Sequence, residues 1–74
     1  MSEPVLTQID RFEAPYGREI VLQKAEFESG MHLLRVRIRE GNRFTIIDID
    51  DETAEHWAKA MLAWAGQSRG GASG

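Results

Sequence analysis

The sequence predicts an α+β domain: an antiparallel β-meander of three to four strands with one C-terminal α-helix packed on one face. Three observations predict it. From His32 to Glu40, apolar and charged residues alternate, the period-2 pattern of a strand with one buried side. Gly41-Asn42 then separates this run from a second β-rich one. Further on, the apolar positions from Ala54 to Ala65 recur at helical spacing.

The first strand candidate, residues 5–14, carries the weakest pattern. It precedes Pro15-Tyr16-Gly17, which reads as a type I turn closed by glycine. Residues 20–27 form the next strand, ended by Ser29-Gly30. In residues 32–40, Leu34, Val36 and Ile38 alternate with Arg35, Arg37 and Arg39. Gly41-Asn42 is a hairpin signal because both residue types tolerate positive φ. Residues 43–50 then carry Phe44, Thr45, Ile46, Ile47 and Ile49. The helix covers about residues 52–65, with Ala54, Trp57, Ala58, Met61, Leu62 and Ala65 on one stripe. Asp50, Asp51 or Thr53 caps its first amides, and the acids of its first turn suit the helix dipole. Gly66 is the natural stop. The domain is therefore residues 5–65, and residues 66–74, GQSRGGASG, read as a flexible Gly/Ser-rich tail.

Seventy-four residues leave room for one small domain. A chain of roughly 60 residues buries only about 60% of its unfolded surface, and such domains usually lean on disulfides, a metal or a partner. There is no cysteine, and only His32 and His56 represent histidine, so no disulfide, metal or cofactor is expected. A net charge of −3 argues against a dedicated duplex-DNA binder. The acidic run Asp48, Asp50, Asp51, Glu52 and Glu55 lacks the glycine and spacing of a calcium loop; a helix N-terminus accounts for it. His56 lies off the apolar stripe, and no serine or cysteine is placed as a nucleophile for His32, so no catalytic residue is assigned. Met1-Ser2-Glu3-Pro4 lacks the basic and apolar regions of a signal peptide. No apolar run approaches the roughly 20 residues of a membrane span, so the expected location is cytoplasmic.

Loop lengths give a register. Two residues at Gly41-Asn42 pair Ile38 with Thr45, Val36 with Ile47 and Leu34 with Ile49, one apolar face. Two residues at Ser29-Gly30 add Val21, Ala25 and Phe27 to that face, and put Ile20, Leu22 and Lys24 on the other. The competing register, which sets Lys24 and Glu26 against Val36 and Leu34, is rejected because one slip turns a whole strand over. Trp57, Met61 and Leu62 are then expected to pack on Val36, Ile38, Ile47 and Ile49. The other face has the rows Ile20–Arg39–Phe44, Leu22–Arg37–Ile46 and Lys24–Arg35–Asp48. One helix cannot cover both sides.

The candidate interaction face is therefore Arg35, Arg37, Arg39, Arg43, Phe44, Ile46, Ile20 and Leu22, with Trp64 at the flank of the helix. Three readings are open. Arginine stems can lie across the apolar neighbours with their heads paired to acids, a solvated face. The face can meet a second protein or a second copy, and tryptophan on the helix flank is enriched in such settings. Single-stranded nucleic acid is the third, with Arg35, Arg37, Arg39 and Arg43 on phosphates and Phe44 as a stacking platform. Residues 18–44 carry net +2 and residues 45–74 net −3, a polarity that permits one-sided electrostatics. The leading expectation is a non-enzymatic interaction module that self-associates, most simply as a dimer; the alternative is single-stranded nucleic-acid binding.

The order HLLRVRIRE, a tight turn, RFTIIDIDDE and then TAEHWAKAMLAWA resembles the transcriptional positive-cofactor-four family, single-stranded-DNA-binding coactivators. The resemblance is one of layout and covers about residues 18–65. Ile46 and Ile49 stand where that family has apolar strand residues, and Trp57 where its helix has tryptophan. The family's lysine-glycine before that strand is missing, and its long basic hairpin is reduced here to residues 40–43. The resemblance implies an antiparallel sheet followed by a helix, dimerisation, and single strands bound on the sheets. As a whole, the chain also resembles short bacterial proteins of unknown function.

Overall fold

The computed structural model describes residues 3–69. Four strands, β1 (Val5–Ala14), β2 (Arg18–Glu26), β3 (His32–Glu40) and β4 (Arg43–Ile49), are followed by a helix, α1 (Asp51–Arg69). The strands pair in chain order, each antiparallel to its neighbour, in one sheet. Residues 5–14 thus form a complete strand. A bulge between Gln8 and Asp10 leaves Ile9 without a partner in the ladder, which re-aims this exposed edge.

Each hairpin turn carries its register. At β3–β4, Glu40 pairs with Arg43 across Gly41-Asn42, and only Gly41 has positive φ, at 59°. That places glycine at the first central position of a type II′ turn. The expected pairs Ile38–Thr45, Val36–Ile47 and Leu34–Ile49 all form.

The β2–β3 turn differs from the expectation. Phe27 N–H donates to the Met31 carbonyl at 2.8 Å, and Gly30 N–H donates to the Phe27 carbonyl at 2.9 Å. The loop is therefore Glu28-Ser29-Gly30, with Gly30 at φ 94°, a three-residue hairpin whose glycine takes the left-handed bulge position. One extra loop residue slips the ladder by one. Ile20 pairs with Ile38, Leu22 with Val36 and Lys24 with Leu34, so Ile20, Leu22 and Lys24 join the apolar face. Val21, Ala25 and Phe27 move to the arginine side. The face assignment of β2 inferred from a two-residue loop is thereby reversed.

The β1–β2 turn also departs from the type I expectation. Tyr16 has φ 68° and Gly17 has φ 71°, and a positive φ at the second central residue excludes type I.

Helix α1 starts where the acids stand. Asp50, the single residue between β4 and the helix, is its N-cap. Its Oδ1 accepts from Thr53 N–H at 3.0 Å, and its carbonyl accepts from Ala54 N–H at 2.9 Å. The helix does not stop at Gly66 but runs on to Arg69. A mid-helix glycine costs only about 1 kcal/mol, and Arg69 in the last turn favours the C-terminal dipole. Of the expected tail, residues 66–69 are thus helical and residues 70–74 lie outside the described residues. Among the described residues, no helix is long and apolar enough to cross a membrane.

The helix contacts the sheet weakly, almost wholly through β3. Its first turn, at Asp51 and Ala54, shares an open apolar hollow with Ile9, Lys24, His32, Leu33 and Leu34. A 19-residue helix is about 28 Å long and would run nearly the full length of the strands if laid on the sheet. Instead the molecule measures 53 × 30 × 15 Å, and a ten-residue strand accounts for only about 33 Å of that length. The helix projects beyond the sheet. The expected packing of Trp57, Met61 and Leu62 on Val36, Ile38, Ile47 and Ile49 does not occur. No residue of α1 is buried, and the buried apolar residues are Val21, Ala25 and Val36 in the middle of the sheet.

Candidate interaction surface

The two faces of the sheet have opposite chemistry. On the apolar face the central rows are Phe12–Ile20–Ile38–Thr45 and Asp10–Leu22–Val36–Ile47, followed by Thr7–Lys24–Leu34–Ile49. Charge is confined mainly to its ends. At the hairpin end Arg18 pairs with Glu40, and at the other Lys24 Nζ lies 3.7 Å from Glu26. Val36, at the centre, is buried by its neighbours in the sheet, whereas Phe12 and Ile47 stand exposed.

On the opposite face, β3 contributes Arg35, Arg37 and Arg39, flanked by Gln23, Val21 and Glu19 of β2 and by Asp48, Ile46 and Phe44 of β4. Most of these charges answer one another. Arg35 donates Nε to Asp48 Oδ1 at 2.8 Å and Nη2 to Oδ2 at 3.0 Å, a planar fork on a carboxylate. Glu19 is held between Arg11, which hydrogen-bonds it, and Arg39 at 3.4 Å. Arg37 lies over the Phe44 ring, 5.6 Å from its centroid, a cation–π contact. The hydrogen bond from Arg11, with the charges of Arg11 and Arg39, holds the Glu19 carboxyl below its ordinary value. Hydrogen bonding from Arg35 does the same for Asp48, and Arg18 for Glu40, with a smaller contribution from Arg43.

The nine residues of the candidate face are therefore divided among three places. Arg35, Arg37, Arg39, Phe44 and Ile46 share the arginine face. Ile20 and Leu22 lie on the opposite, apolar face. Arg43, opposite Glu40 beside the Gly41-Asn42 turn, falls with them at the hairpin end of that face and not with the other arginines. Trp64 is on the projecting helix, 69% exposed.

The third surface is that helix. Trp57, Ala60, Met61, Trp64 and Ala65 line a shallow hollow along it, at spacings that put them on one side. Trp57 is 37% exposed, Met61 54% and Leu62 71%. An apolar stripe built to cover a sheet thus faces outward. Reasoning from pattern placed Trp57, Met61 and Leu62 in a core and missed them as a surface, whereas Trp64 already stood among the candidate interaction residues. The signal that could have found them is the connection: β4 passes into α1 through Asp50 alone, where turns from strand to helix usually take 2–6 residues. A single residue leaves no length for the chain to reverse over its own sheet.

Among the described residues, no group of three or more histidine, aspartate or glutamate side chains converges as a metal site would. No curated protein and no solved structure matches the chain, so the layout resemblance to the single-stranded-DNA-binding coactivators gains no support from relatives. One family model does match, over residues 3–67, all four strands and nearly the whole helix. The chain belongs to that family, DUF6967, a family of unknown function.

Proposed function

We propose that this chain is a non-enzymatic interaction module that acts as a self-associated species, held together through apolar surface that its own fold leaves open. One observation carries the reading: the apolar stripe of α1 and the apolar face of the sheet are both uncovered in the same molecule. Contiguous apolar surface of this kind marks interaction sites in soluble proteins. The hollow beside the first helical turn is open and walled by Ile9, Leu33, Leu34 and Ala54, and its titratable neighbours Lys24, His32 and Asp51 make no hydrogen bond to one another, a poor setting for acid–base or nucleophilic chemistry. Single-stranded nucleic acid has less support as a partner, because Arg35 and Arg39 already face Asp48 and Glu19.

Sedimentation equilibrium tests the reading. The expected result is a mass of about two chains at micromolar concentration, dissociating on dilution. A single species of 8.4 kDa at millimolar concentration would overturn it.

A further inference from the structure

We propose that two copies of this chain exchange helices, so that α1 of each lies on the apolar sheet face of the other. The proposal rests on the self-association argued above and specifies its geometry. Each chain carries two halves of a layer that it does not assemble. Its sheet has an apolar face that its own helix touches only with the first turn, at one end, and its helix has an apolar stripe with no sheet beneath it. The halves match in length: about 28 Å for the helix and about 30 Å for the nine-residue strands β2 and β3. Asp50, as the sole connecting residue and already committed to capping α1, keeps the helix from turning back. Short connections of this kind favour exchange between protomers. A two-fold axis then completes both layers at once and closes the assembly, with nothing left over to recruit a third chain.

The areas agree. The chain exposes 6083 Å², against about 4,600 Å² for a compact monomer of its mass. Even granting the seven residues outside the described range the surface of an extended chain, about 800 Å², the described residues retain an excess of about 900 Å². A standard interface buries about 800 Å² on each partner. A second copy supplies that area with a surface already shaped for it. The arginine face is a poorer seat for an apolar partner, since Arg35–Asp48 and Arg11–Glu19–Arg39 would have to be buried with it.

Isotope-filtered NOE spectroscopy on a mixture of ¹³C-labelled and unlabelled chains tests the exchange. The expected result is intermolecular contacts from the indole protons of Trp57 and Trp64 to the methyl groups of Ile20, Ile38 and Ile47. Intermolecular contacts confined to helix against helix, or to the β4 edge, would overturn the exchange while leaving self-association standing. A monomer at the concentration of the experiment would overturn both.

Discussion

At Tyr16 the backbone sits at φ 68°, a conformation that costs a non-glycine residue roughly 1–2 kcal/mol. Against it stands the contact between the Tyr16 ring and Arg18, 5.6 Å from the centroid, worth about 0.5–1 kcal/mol at an exposed site. Strain is the larger of the two. Tyr16→Asn, which tolerates the left-handed region, is expected to raise stability by about 0.5–1 kcal/mol. A urea midpoint equal to or below that of the parent would refute this. Asp48 illustrates the opposite balance. Its folded-state pKa is lowered from an ordinary 3.8 by Arg35, so its contribution is fully present above that value and is lost as the pH falls through the lower folded one. Asp48→Asn should therefore lower the unfolding free energy read from urea titration at neutral pH by about 1 kcal/mol or less. The deficit should shrink as the pH falls below 3.8 and vanish below the lower folded value. A deficit that stays constant as the pH falls would show that Asp48 acts through packing and not through charge.

Among the elements, β3 and the β3–β4 hairpin were fully legible, because alternation and a Gly-Asn pair specify strand and turn together. β2 was legible as a strand but not as to its faces. Its own pattern is ambiguous: Ile20 and Leu22 compete with Val21 and Ala25 for the inward positions, and the decision falls to the length of the loop before Met31. Glu28 gives no local sign that it belongs to the turn. The helix stripe was equally plain, yet its partner was not, since periodicity says that a face must be covered and not which chain covers it. The same reasoning located Arg35, Arg37, Arg39, Phe44 and Ile46 on one face correctly and placed Ile20 and Leu22 with them wrongly. The connection through Asp50 gives the prediction at this scale. Inserting Gly-Ser-Gly-Ser between Ile49 and Asp50 keeps the helix cap and gives the chain length to reverse. The expected product is a monomer with α1 on its own sheet, seen by sedimentation together with intramolecular contacts from Trp57 to Ile38. A dimer as tight as the parent would show that the connection does not dictate the exchange.

For the whole molecule, the radius of gyration is 15.0 Å, against about 11 Å for a compact domain of this length. Such a shape is natural for half of an interlocked pair and costly for a lone chain, whose apolar surface would remain in water at roughly 25 cal/mol per Å². The connectivity of the sheet adds a consequence in time. Every strand neighbours the one before it, so all three ladders close through tight turns, and contacts of this local kind form quickly. The helix–sheet layer of an exchanged pair must instead wait for two chains to meet. Folding would then divide into a fast step, indifferent to how much protein is present, and a slower one whose rate rises with concentration. For a newly made chain, the abundance of its own kind would decide how long its sheet stays bare.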